Sequence, residues 1–123
     1  MRQFTALVVD DEAAMRTLYE MVLNAVGFTV QHAADGEQAM DLLRRQPPDV
    51  VFLDMLLPKH DGSEVLDFRE AMPHLRRVPV IIVSAHSHFR RTLNLGPEDR
   101  FLVKPVRPNQ IREAALAAVG DHV

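Results

Sequence analysis

The chain has 123 residues, 47% hydrophobic and 25% charged, which bounds it to one globular domain long enough to bury a single core. A net charge of -3 with no long run of one sign argues against a nucleic-acid footprint and against a membrane-surface patch. The absence of cysteine excludes disulfides, thiolate metal sites and a thiol nucleophile.

Met1-Arg2-Gln3-Phe4 leads straight into an apolar run and lacks the features of a signal peptide. No apolar stretch approaches a membrane span, so a soluble, cytoplasmic protein is expected. Arg44-Arg45, Arg76-Arg77 and Arg90-Arg91 are isolated pairs that read as solvated surface.

Phe4 to Val9 reads as a buried strand with the acidic tip Asp10-Asp11-Glu12. Met15, Leu18, Tyr19, Val22 and Val26 recur at helical spacing, and Gly27 stands where a helix commonly stops. Thr29 to Ala33 alternates and carries polar residues, which suits a strand near a sheet edge. Asp35 and Gln38 have the spacing of a capping box, Ala39, Met40 and Leu43 supply a buried stripe, and Pro47-Pro48 stops that helix.

Val50 to Leu53 is apolar throughout, as in parallel strands covered by helices on both faces, and Asp54 follows where the strand leaves the core. In an open α/β sheet, ligands bind outside the carboxyl ends of the strands, so a carboxylate there suits chemistry better than packing. Lys59-His60-Asp61-Gly62 is a turn signal, followed by a helix with Val65, Leu66, Arg69 and Met72 on or beside one face. Val78 to Val83 is a further buried strand, ending in Ser84-Ala85.

From His86 to Arg100 the pattern is thin: Phe89, Leu93 and Leu95 allow one short helix, which Gly96-Pro97 stops early. Phe101-Leu102-Val103 is a short strand before Lys104-Pro105. Pro108 opens a last helix with the stripe Ile111, Ala114, Ala115 and Ala118. Strand and helix thus alternate about five times, which implies a parallel sheet with helices on both faces and right-handed crossovers.

The strand ends carry Asp10-Asp11, Asp54, Ser84 and Lys104. If the first and third strands are neighbours, three carboxylates converge, and like charges at short range need a cation between them. Oxygen ligands without His or Cys suit Mg²⁺, while a lysine and a hydroxyl on adjacent strands complete a set able to hold phosphoryl oxygens. Each residue also has a plainer reading: Asp54, Asp10 and Asp11 as turn or helix caps, Ser84 as a strand-end partner, Phe101 as core. His60, His86 and His88 read as solvent-exposed.

Val8-Val9-Asp10-Asp11-Glu12, then Asp54 through Pro58 with Asp61-Gly62, then Ser84-Ala85, then Phe101 through Pro105 together resemble the ordered motifs of the receiver domain of two-component response regulators. The resemblance runs from Phe4 to about Val119 and implies a doubly wound, flavodoxin-like fold of order 2-1-3-4-5, with residues 1–123 as a single receiver domain.

It further implies that Asp54 accepts a phosphoryl group from a sensor histidine kinase or a histidine phosphotransfer protein. Mg²⁺ would be held by Asp11, Asp54 and the backbone carbonyl of Leu56, with Asp10 acting mainly through bound water. Lys104 would pair with phosphoryl oxygens and Ser84 donate to one of them. Phe101 would be the aromatic partner of that switch, and the Lys104–Pro105 peptide is expected to be cis.

The family pattern implies output to a downstream protein or an output domain through the surface near helix 4, strand 5 and helix 5, with a homodimer as a further mode. Two departures stand out. The span from Ser84 to Lys104 is shorter than usual, and Leu56 occupies the position from which a polar side chain would orient an attacking water. The competing readings are a Mg²⁺-dependent phosphohydrolase with Asp54 as nucleophile, and a binding module of this fold that takes no phosphate.

Overall fold

The computed structural model describes residues 3–93 and 95–120 of the chain. Its strands are β1 (Phe4–Val9), β2 (Phe28–Ala33), β3 (Val50–Asp54), β4 (Val80–Ser84) and β5 (Arg100–Val103). The helices are α1 (Ala13–Asn24), α2 (Gly36–Arg45), α3 (Gly62–Ala71), α4 (Phe89–Thr92) and α5 (Pro108–Ala118). All strand pairs are parallel, in the order β2-β1-β3-β4-β5.

The strands explain their own sequences. Successive side chains point to opposite faces, so Leu7, Val9, Val51, Leu53, Val80 and Ile82 join the core under α2 and α3. Ala6, Val8, Val50, Phe52, Ile81 and Val83 join the core under α1 and α5. Both faces are covered, which is why β3 is apolar on every residue up to Asp54. The edge strands β2 and β5 are less buried, and the polar residues of β2 fall there.

Local chemistry sets most boundaries. Asp35 Oδ1 accepts the Gln38 amide at 2.8 Å, as its capping pattern predicts, but the Gln38 side chain accepts from Ala34 instead of from the cap residue itself. Pro108 opens α5 as expected. The fourth strand starts at Val80, not Val78: the Val78 amide is held in a turn by Leu75, and Pro79 has no amide to give to a ladder.

The thin apolar pattern after Ser84 yields a single helical turn of four residues, α4, whose Phe89, together with Leu93 and Leu95, still packs on the α2/α3 core. Leu93 is already extended.

Two glycines bring backbones into contact at the end of β3. A Cβ on Gly62 would lie 2.8 Å from the Asp54 carbonyl oxygen, so the first turn of α3 rests directly on the β3 exit. A Cβ on Gly36 would fall 1.7 Å from the His60 carbonyl oxygen. That loop is already demanding, with Lys59 and His60 at φ of 45° and 65°. Gly36→Ala is therefore expected to destabilise the fold by at least about 1–3 kcal/mol through overpacking against backbone, read as a lower denaturation midpoint at unchanged slope.

Candidate functional site

The parallel ladder carries each candidate residue to the same edge of the sheet. The Asp10 amide extends the β1–β2 ladder by one bond to the Ala33 carbonyl at 3.1 Å. Asp54 closes β3 in register with Val83, which places Ser84 one residue beyond on the next strand. The Lys104 amide donates to the Ser84 carbonyl at 2.9 Å, so β5 delivers its lysine beside β4. The Lys104–Pro105 peptide is cis.

These placements bring Asp10, Asp11 and Asp54 together, each with a carboxylate oxygen within 4.8 Å of the others. Asp10 and Asp54 are buried and Asp11 is exposed. Lys104 Nζ donates to Asp54 Oδ2 at 3.0 Å and stands 3.5 Å from Asp10 Oδ2. Asp54 Oδ1 accepts the Leu56 amide at 3.1 Å, and Asp10 Oδ1 accepts the Glu12 amide at 2.9 Å. Both carboxylates are thus oriented by the turn that follows them.

Burial pushes the Asp10 carboxyl above its usual range; the Glu12 amide and Lys104 pull it back, and the charges of Asp54 and Asp11 push it further. Lys104 is shifted the other way by burial, yet its hydrogen bond to Asp54 and the charges of Asp54 and Asp10 win, so it stays a cation with a raised pKa. Beneath the cluster, burial raises the Tyr19 hydroxyl, reinforced by Asp10 and Asp54.

One lysine faces three carboxylates, and Asp10 Oδ2 is buried without a hydrogen-bond partner among the described residues. Buried unsatisfied oxygens of that kind are what a cation would complete, and an all-carboxylate donor set with one open side fits a hydrated Mg²⁺. Ser84 Oγ is buried and accepts the His86 amide at 3.1 Å. The Leu56 side chain is 54% exposed, so it presents no polar group to the pocket and no bulk to the core.

Phe101 stands apart from this cluster. It is half-buried, packs like Phe89, Leu93 and Leu95 against the α2/α3 core, and lies under the Arg90 guanidinium at 5.1 Å. His60, His86 and His88 are exposed as expected. His60 pairs with Glu64 at 2.5 Å, and that hydrogen bond raises its pKa.

Two arginines that matter to the surrounding structure carried no sequence prediction as site residues. Arg16 reaches back from α1 to the Asp10 carbonyl at 2.7 Å. Arg69, placed beside the buried face of α3, makes a bidentate pair with Asp99 at 2.7 and 2.8 Å. Arg16 had a signal available: a cation in the first turn of a helix opposes the macrodipole and asks for another reason to be there.

Carboxylates, a hydroxyl and a lysine thus stand together at the carboxyl ends of neighbouring strands of a doubly wound parallel α/β sheet. Residues 6–116 match the sequence profile described as the response regulator receiver domain, and the chain belongs to that family. The family is a phosphoacceptor switch of two-component signalling.

The chain is 38% identical over 125 residues to the probable transcriptional regulator ycf27 of Porphyridium aerugineum, covering 97% of this chain and 49% of that protein. It is 33% identical over 121 residues to the regulator of RpoS of Escherichia coli K12, covering 92% of this chain and 34% of that protein. The chain therefore spans half or less of the length of these curated relatives.

Among solved structures, it resembles the receiver domain of sensor histidine kinase PA1611 from Pseudomonas aeruginosa PAO1, described with a magnesium ion coordinated in the active site cleft. That likeness has a TM-score of 0.86 at 27% identity, over 98% of this chain and 100% of the other. No helix among the described residues is long and apolar enough to cross a membrane.

Proposed function

We propose that Asp54 is the phosphoacceptor of this domain and that phosphorylation there switches the surface near α4, β5 and α5. The observation that carries the reading is the junction of Asp54 Oδ2 with Lys104 Nζ at 3.0 Å inside a trio of carboxylates.

A carboxylate oxygen of Asp54 attacks the phosphorus of a phosphohistidine on a partner kinase or phosphotransfer protein. The O–P bond forms as the P–N bond breaks, and its electron pair stays on the imidazole nitrogen. Lys104 moves its ammonium from Asp54 Oδ2 to the arriving phosphoryl oxygens, a short step for a flexible side chain. The Leu56 amide keeps Asp54 aimed through Oδ1. Ser84 turns its hydroxyl to donate to a phosphoryl oxygen, and Phe101 follows into the space beside it.

Asp11, Asp54 and the Leu56 carbonyl would hold Mg²⁺, and Asp10 would support it mainly through water. The ion, when bound, neutralises charge on the transferring group.

Receiver domains work with histidine kinases and output domains, and this domain would pass its signal to a downstream protein or output domain, or to a second copy of itself. A phosphohydrolase would need an acid/base group near Asp54, and the position two residues on is Leu56. The intact set Asp11, Asp54, Ser84 and Lys104 favours a phosphate-taking domain over a silent binding module.

Intact mass after incubation with a small phosphodonor tests this. One added phosphoryl group is expected with Mg²⁺, none in chelator and none in Asp54→Asn; steady phosphate release from unrelated esters would favour the hydrolase instead. The exposed Leu56 makes a second expectation. A side chain that cannot hydrogen-bond water leaves the acyl phosphate long-lived, so Leu56→Asn should shorten its lifetime severalfold, measured as loss of the added mass with time.

A further inference from the structure

Arg16 is the one cation among the described residues whose side chain grips the backbone of the acidic turn. It lies in the first turn of α1, where a positive charge opposes the helix dipole. The helix gains little there otherwise, since Glu12 makes no side-chain cap and no acidic residue sits in that first turn. The side chain instead folds back past the helix start, and Nη1 donates to the Asp10 carbonyl at 2.7 Å, a short charge-assisted bond. Its Nε is buried and has no hydrogen-bond partner among the described residues, so the guanidinium is held in place at a cost that this contact offsets.

The peptide whose oxygen Arg16 holds is the one joining Asp10 to Asp11. Two bonds already restrain Asp10, through its amide to Ala33 and its Oδ1 to the Glu12 amide. Asp11 is different: its carboxylate is exposed, so the backbone must place it. Rotating that peptide would swing Asp11 relative to Asp10 and Asp54 and open the 4.8 Å cluster.

We propose that Arg16 is a positioning residue for the cation site, aligning Asp11 with Asp54 by clamping the Asp10 carbonyl. The proposal rests on the metal-dependent phosphoacceptor reading above. It also makes a choice of sign. As a bare charge, Arg16 would repel a divalent cation, and its removal would tighten binding; as a clamp, its removal loosens binding.

The test is an NMR titration of the whole chain with MgCl₂, comparing wild type, Arg16→Met and Arg16→Lys, each first checked for a folded spectrum. Loss of a partner that orients a metal ligand typically weakens affinity by about 10–100-fold, and roughly tenfold is expected for Arg16→Met. Arg16→Lys, which keeps the charge but not the planar reach, should also bind more weakly.

Phosphorylation rates should show the defect as a higher half-saturating Mg²⁺ concentration with the maximal rate largely recovered, a split that general loss of structure would not produce. Wild-type-like or tighter Mg²⁺ binding in Arg16→Met overturns the proposal. If that variant does not fold, wild-type-like binding in Arg16→Lys overturns it. A wild type that binds no Mg²⁺ refutes the underlying reading of the site, which is a separate outcome.

Discussion

Asp99→Ala is expected to lower the unfolding free energy by about 3–5 kcal/mol, the usual cost of stranding one member of a buried ion pair. The Arg69 and Asp99 side chains are only 4% and 3% exposed. Asp99 Oδ1 also accepts the Val80 amide at 2.9 Å, and Oδ2 accepts the Gly96 amide at 2.8 Å. Its removal would leave the first amide of β4 without its acceptor and the buried guanidinium with only the Val78 carbonyl and the exposed Glu70 carboxylate.

A loss of that size corresponds to a melting temperature lower by roughly 10–20 °C for a domain of this length. Arg69→Met should cost less, because Asp99 keeps both amides. A larger loss for Arg69→Met than for Asp99→Ala would count against the amides as a main contribution, since Arg69→Met also gives up the bond to the Val78 carbonyl.

The same pair predicts a pH dependence. Burial raises the Asp99 pKa, but the Arg69 hydrogen bond and the Val80 and Gly96 amides outweigh it, so the folded value lies below the ordinary 3.8. A depressed carboxyl contributes stability that is present above the unfolded value and is lost as pH falls through the folded one. The gap between wild type and Asp99→Ala should therefore be full at neutral pH and narrow below about pH 4. Denaturant unfolding at a series of pH values measures it, and a gap that stays constant to the lowest pH would count against the ionised pair.

In chelator, Asp54→Asn is expected to melt above wild type, and Mg²⁺ should stabilise wild type far more than the variant. Three carboxylates lie within 4.8 Å, with Lys104 the cation beside them. The raised Asp10 pKa, caused first by burial and added to by Asp54 and Asp11, marks the unfavourable state of that pocket. Neutralising Asp54 removes one repelling charge while its amide oxygen can still accept from Lys104.

A ligand that binds only the folded state stabilises by about 2.7 kcal/mol at a hundredfold excess over its Kd, roughly 10 °C here. Thermal melts of both proteins with and without Mg²⁺ decide the matter. Identical melting temperatures in chelator would mean the carboxylates do not share a site.

Much of this protein was written in local pattern. The apolar runs at Phe4–Val9 and Val50–Leu53, the capping Asp35, the Pro108 start and the stop at Gly27 are short-range signals, and they place the elements of a parallel α/β sheet. Since parallel strands all point one way, the residues at their ends fall on one edge, and Asp10, Asp11, Asp54, Ser84 and Lys104 were legible as a candidate site for that reason. Even the weakness of α4 was visible, as too few apolar residues before Gly96-Pro97.

Tertiary structure alone decided the contacts between residues far apart in the chain. Arg69 and Asp99 are separated by 30 positions, and nothing in either segment names the other. The buried pair formed because α3 and the loop before β5 meet below the start of β4. Asp35-Gly36 reads locally as a turn signal, but the close approach of the His60 carbonyl that demands a glycine there is visible only in the fold. Arg16 is an oddly placed cation near the start of α1, and only the fold shows that it reaches back to the Asp10 carbonyl. Periodicity reports which face of an element is apolar, whereas a hydrogen bond depends on where another element's backbone arrives, and that information exists only once the layers have packed.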